Sequence, residues 1–111
     1  GGFYYRGNSP FDITEIGILT IPIDIENIQD YFSLKANGYR GLDGPLMPAG
    51  ERQGKTFNWQ LYTSSSYGRP VDIAMVEDRG WSIVVVQFSN KDEHEALYRT
   101  VFLPMIDSAT R

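Results

Sequence analysis

The chain contains no cysteine, so disulfides, thiolate metal sites and cysteine nucleophiles are excluded together. It has one histidine, His94, and any Ser-His-Asp triad or imidazole metal site must use that ring. No apolar run approaches the ~20 residues that cross a bilayer, and no signal peptide is recognisable. Ten basic residues against fourteen acidic ones leave a formal charge of −4. The basic residues are scattered singly. Lacking a basic stripe, the chain is a poor match for nucleic acid or an anionic membrane surface. It also lacks an initial Met and opens on Gly1-Gly2. The expectation is one domain, residues 1–111, cut from a longer chain, with any export signal outside it.

Hydrophobic residues make up 41% and charged residues 22%, the balance of a globular domain rather than a disordered segment. The stretch Trp81–Ser89, WSIVVVQFS, carries Ile83, Val84, Val85 and Val86 without a break. A short β-branched run of this kind predicts a strand buried on both faces, at the centre of a sheet with layers on either side. In TFNWQLYT, Phe57, Trp59 and Leu61 share one face while Asn58, Gln60 and Tyr62 share the other. PVDIAMVED sets Val71, Ile73 and Met75 against Asp72, Ala74 and Val76, and Glu77–Gly80 closes a hairpin into the central strand. The result is an antiparallel meander with strands near 56–63, 70–77 and 81–89, its first two strands joined by a polar loop from Ser64 to Pro70.

Ile18–Ile23 predicts a further strand, which Pro22 confines to a protected edge or a strand end. Phe3-Tyr4-Tyr5 suits a short edge strand. A short helix is expected over 26–37, stopped by Gly38. Residues 38–50, rich in glycine and proline, read as a surface loop anchored by Tyr39, Leu42, Leu46 and Met47. The clearest helix covers 92–109. Asp92 and Glu95 stand at capping-box spacing, and Leu97, Val101 and Met105 form an apolar stripe flanked by Tyr98, Phe102, Ile106 and Ala109. Pro104 frees the carbonyl of Thr100 and kinks that helix. The expected fold class is α+β: an antiparallel sheet packed against both helices as a layered sandwich.

Chemistry is sparse. His94 lies between Glu93 and Glu95 and reads as a solvated helix-start residue; the sharper reading is a general base held by Asp72 or another carboxylate. Asp72 stands inside a strand pattern, where Asp is disfavoured, and is expected to pair with an Arg such as Arg69 or to face water. No G-x-S-x-G elbow, phosphate-binding glycine loop, EF-hand loop or zinc spacing occurs. The expectation is therefore no catalytic residue, no metal and no cofactor. Tyr62, Tyr67, Arg69 and Asp72 are the candidate binding residues, Tyr and Arg being favoured contact residues. Trp59 and Trp81 are assigned to the core. A small-ligand pocket between the sheet and the 38–50 loop is the alternative site.

The ordered string Gly54, Trp59, Leu61-Tyr62, Val71-Asp72-Ile73-Ala74, Leu97-Tyr98, Val101-Phe102-Leu103-Pro104 and Asp107 resembles a small PsbP-like module. Such modules are found ahead of the α/β-hydrolase domain in some bacterial secreted or membrane-anchored proteins. The match covers about half the chain, and residues 1–46 lie outside it. The resemblance implies an antiparallel sheet with helices on both faces and an extracytoplasmic location, in the cell envelope or secreted. It also implies a non-catalytic accessory role, with a neighbouring domain of the same chain or another protein as partner.

Overall fold

The computed structural model describes residues 2–5, 14–21 and 42–110, the first group by backbone pairing alone. The helix expected over 26–37 lies outside the described residues, as does Pro22. Six strands are seen: β1 (Gly2–Tyr5), β2 (Glu15–Ile21), β3 (Met47–Gln53), β4 (Asn58–Ser66), β5 (Arg69–Asp78) and β6 (Trp81–Phe88). They form one antiparallel sheet in the order β1-β2-β6-β5-β4-β3.

The valine-rich β6 is interior, between β2 and β5, and its Val84, Val85 and Val86 are fully buried. Alternation sends Val84, Val86 and Phe88 to one face, where they meet Leu19, Ile21, Val71, Ile73 and Met75 under Leu42, Leu46 and Tyr62. Val85 points the other way, into a cluster of Ile16, Phe57, Trp59, Leu61, Ala74, Phe102 and Ile106. Two cores on opposite faces are what a continuous β-branched run requires.

β2 is not the protected edge expected of it. Over Glu15–Ile21 it pairs on one side with β6 and on the other with β1. The opposite edge belongs to β3, which takes up residues 47–50 of the expected loop. Its Pro48 and Gly50 conceal it from pattern reading, and both are tolerated because the strand is an edge with a register shift between them.

The loop expected over Ser64–Pro70 shrinks to two residues. Tyr67 and Gly68 have φ of 51° and 74°, and Arg79 and Gly80 repeat the pattern at 55° and 83°. Paired positive φ values are the signature of type I′ turns, whose twist matches the flanking strands.

After β6 the chain forms α1 (His94–Leu97), a π-helical turn (Tyr98–Phe102) and α2 (Leu103–Ser108) in direct succession. Glu93 occupies the cap position without a side-chain cap bond, so the expected Asp92/Glu95 box does not start this helix. Asp92 is held instead in the preceding turn, closed by the Glu93 amide on the Asn90 carbonyl at 3.1 Å. The π turn stands just ahead of Pro104, with the Leu103 amide donating to the Tyr98 carbonyl five residues back. A turn with one extra residue lines up Tyr98, Phe102 and Ile106. Phe102 and Ile106 are fully buried, whereas Leu97, Val101 and Met105 of the expected stripe are half-buried.

The last carbonyls of this helix are received by the β3–β4 hairpin. The Trp59 indole donates to the Ile106 carbonyl at 2.9 Å, and the Lys55 amide to that of Asp107 at 2.7 Å. Helix ends leave such carbonyls without intrahelical partners. Arg52 grips the Asp107 carboxylate with two bonds, 2.6 and 2.8 Å. The approach is close enough that a Cβ on Gly54 would stand 2.6 Å from the Ile106 carbonyl oxygen. Gly54→Ala is therefore expected to destabilise the fold by about 1–3 kcal/mol through overpacking. An unchanged urea midpoint for that variant would contradict the close docking.

Candidate functional site

Asp72 is a carboxylate in the middle of an interior strand. Its neighbours across the sheet are Thr63 in β4 and Gln87 in β6, and it faces the helix layer. Only 1% of its surface is exposed. It neither faces water nor pairs with Arg69, because alternation turns it beneath the first turn of α1. There the His94 ring supplies the partner, with Nε2 to Oδ2 at 2.8 Å. His94 in turn is not the solvated residue expected, since only 33% of its side chain is exposed. Burial pushes the Asp72 carboxyl above its usual range, against the pull of the His94 hydrogen bond. Tyr98, one turn on, has its ring centre 6.0 Å from that of His94 and stacks on Phe102 at 5.4 Å. Burial, then the Asp72 charge, raises its phenol above the ordinary value.

With Asp72 ionised, Nε2 carries the shared proton and Nδ1 is the ring nitrogen left over. This is the base-and-orienter half of a triad. The other half is absent among the described residues: no hydroxyl bonds the ring, and no three His, Asp or Glu side chains gather to hold a metal. Gln87 Nε2 and Ser89 Oγ are buried nearby without a partner among the described residues. The pair works as a strut, joining the start of the helix to the centre of the sheet.

The four candidate binding residues do not converge. Tyr62 lies opposite Ile73 and packs on the face away from the helix, while Asp72 is sealed under the helix. Tyr67 occupies the tip of the β4–β5 hairpin and is 72% exposed; Arg69 begins β5 and is half-buried. What sequence reasoning missed is Asp43. Its carboxylate accepts from the Tyr67 and Gly68 amides, at 3.0 and 2.8 Å, and from the Ser65 hydroxyl at 2.8 Å. The Gly68 amide first, then the Ser65 hydroxyl, hold the Asp43 carboxyl below its usual range. An acidic residue more than twenty positions upstream of a turn leaves no local signature.

The 38–50 loop that would wall the alternative pocket lies partly outside the described residues. A cavity of about 400 Å³ lies on the helix-covered side, floored by Ile18, Phe57 and Ile83 and walled by Trp81, with Asp78 and Arg79 at the adjoining hairpin. Trp81 is 47% exposed, so it is not the core residue its position in WSIVVVQFS implied. It opens β6 at the hairpin, where Ala109, extended after the end of the helix, and Thr110 also line the cavity. Trp81 and Gln87 are six residues apart along β6, roughly 20 Å. The acid–base pair and the cavity therefore occupy opposite ends of one face. Comparison with protein-family models, curated proteins and solved structures finds no match.

Removal of the imidazole strands a buried carboxylate, and His94→Ala is expected to cost on the order of 2–3 kcal/mol near pH 7. The sign with pH is set by the raised Asp72 carboxyl. Its contribution to stability is full below the unfolded value, about 3.9, and is lost as pH rises through the folded one. The penalty of His94→Ala should thus shrink near pH 3.5, where Asp72 is protonated. Asp72→Asn should remove the stability that this carboxyl adds on acidification, so the variant's stability falls more steeply toward low pH than that of the unaltered domain. Urea titrations of the three proteins at both pH values check this; a penalty that grows in acid would refute it.

Proposed function

We propose that this domain is a non-catalytic binding module, an accessory part of a bacterial cell-envelope or secreted protein. One observation carries the reading: the acid–base pair is spent as a strut at one end of the helix-covered face, while the concave surface at the other end is apolar and aromatic. A site that binds but does not transform needs shape and a few polar groups rather than a positioned base. The resemblance of residues 54–107 to PsbP-like modules ahead of hydrolase domains supports the same reading and supplies the extracytoplasmic setting. Apart from Gly54, its residues fall on β4, β5 and the C-terminal helix, and Asp72 of the strut is among them.

Within such a protein the Tyr67 hairpin is the second contact surface. A tyrosine at positive φ is held in a costly conformation. Asp43 fixes it there with its ring outward, an aromatic anchor arranged before any partner arrives. The partner is a neighbouring domain of the same chain or a separate protein.

The purified domain should show no turnover of generic ester, glycoside or phosphate substrates above the uncatalysed rate. Turnover that His94→Gln abolishes would replace this reading with that of an enzyme built on Asp72 and His94.

A further inference from the structure

The chemistry of the cavity narrows what it can hold. Its floor is hydrocarbon, from Ile18, Ile83 and the buried Phe57, and its wall is the indole of Trp81. Two charged residues line it. Asp78 already has an interaction partner. Arg79 is exposed at the hairpin, and among the described residues no carboxylate pairs with it. The type I′ turn fixes its backbone at φ 55°, so its side chain springs from a set position beside the opening. An apolar cavity with one unspent guanidinium at its rim complements an anion with an apolar body, and guanidinium binds carboxylate with two parallel bonds.

We propose that the cavity takes a small monocarboxylate with an aromatic or branched apolar body, the body between Phe57 and Trp81 and the carboxylate on Arg79. The volume falls within the range of small-molecule sites. Discrimination comes from the charge at the rim, which excludes the neutral analogue only partially because Arg79 remains in contact with water. This inference rests on the binding-module reading and names the ligand class for it.

The test titrates the domain with 3-phenylpropanoate and with its neutral amide, followed by calorimetry and by tryptophan emission. Trp59 is buried, so Trp81→Phe assigns the emission change to the cavity wall. The carboxylate should bind about five-fold more tightly than the amide at low salt, an advantage that shrinks as ionic strength rises. Arg79→Gln, confirmed as folded by circular dichroism, should bring the two ligands to equal affinity while leaving the amide unchanged. Equal affinity of both ligands for the unaltered domain overturns the carboxylate assignment while leaving a binding module intact. Absence of binding by either at millimolar concentration overturns the cavity as a ligand site. Neither failure produces turnover, which is the separate result that removes the binding-module reading.

Discussion

The constraint on which the rest depends is that β6 must be covered on both faces. Val84, Val85 and Val86 are all fully buried, and no single layer can shelter side chains that alternate in direction. One layer is the C-terminal helix. On the other face Leu42 and Leu46, with Tyr62 of β4 beside Ile73, pack against Val71, Ile73, Met75, Val84 and Val86. Once β6 is interior, its neighbours follow: β5 by the shortest hairpin, β2 from far upstream on the free side, and β4 and β3 outward from β5. Pro48 in β3, a position hostile to a ladder, costs nothing there because the strand is an edge.

Apolar packing places the helix against the sheet, and polar contacts set its position along it. At the start, a carboxylate in an interior strand demands a partner and finds one in His94. At the finish, Trp59, Lys55 and Arg52 take the last carbonyls and the Asp107 side chain. Both anchors are directional, so they locate the helix where a hydrophobic face alone would let it slide. The helix ends at Ser108, Ala109 is extended, and it lines the cavity together with Thr110 and Trp81. The hollow there is a consequence of where the helix is fastened.

This arrangement separates two roles that are often combined. The aspartate and histidine in contact join the helix start to the centre of the sheet, and the concave surface at the other end contains neither. The Asp43 carboxylate satisfies both amides of the β4–β5 turn and so decides how Tyr67 is presented.

Much of the architecture was legible in local pattern. The alternation around Trp59 and Val71, the unbroken valines of β6 and the apolar spacing after His94 each carry a period that survives folding, so the antiparallel meander and the final helix could be read directly. Strand β3 could not, since proline and glycine erase the pattern that its edge position makes tolerable. Trp81 was misjudged because its run is buried only from Ser82 onward; whether the first residue of a strand is covered depends on what ends above it. The partnership of Asp72 with His94, the clasp of Asp43 on a distant turn and the cavity beside Arg79 belong to the tertiary structure alone. Each joins residues about twenty or more positions apart, and hydrogen bonds and hollows of that kind arise only when separate elements are brought together, which no spacing along the chain encodes.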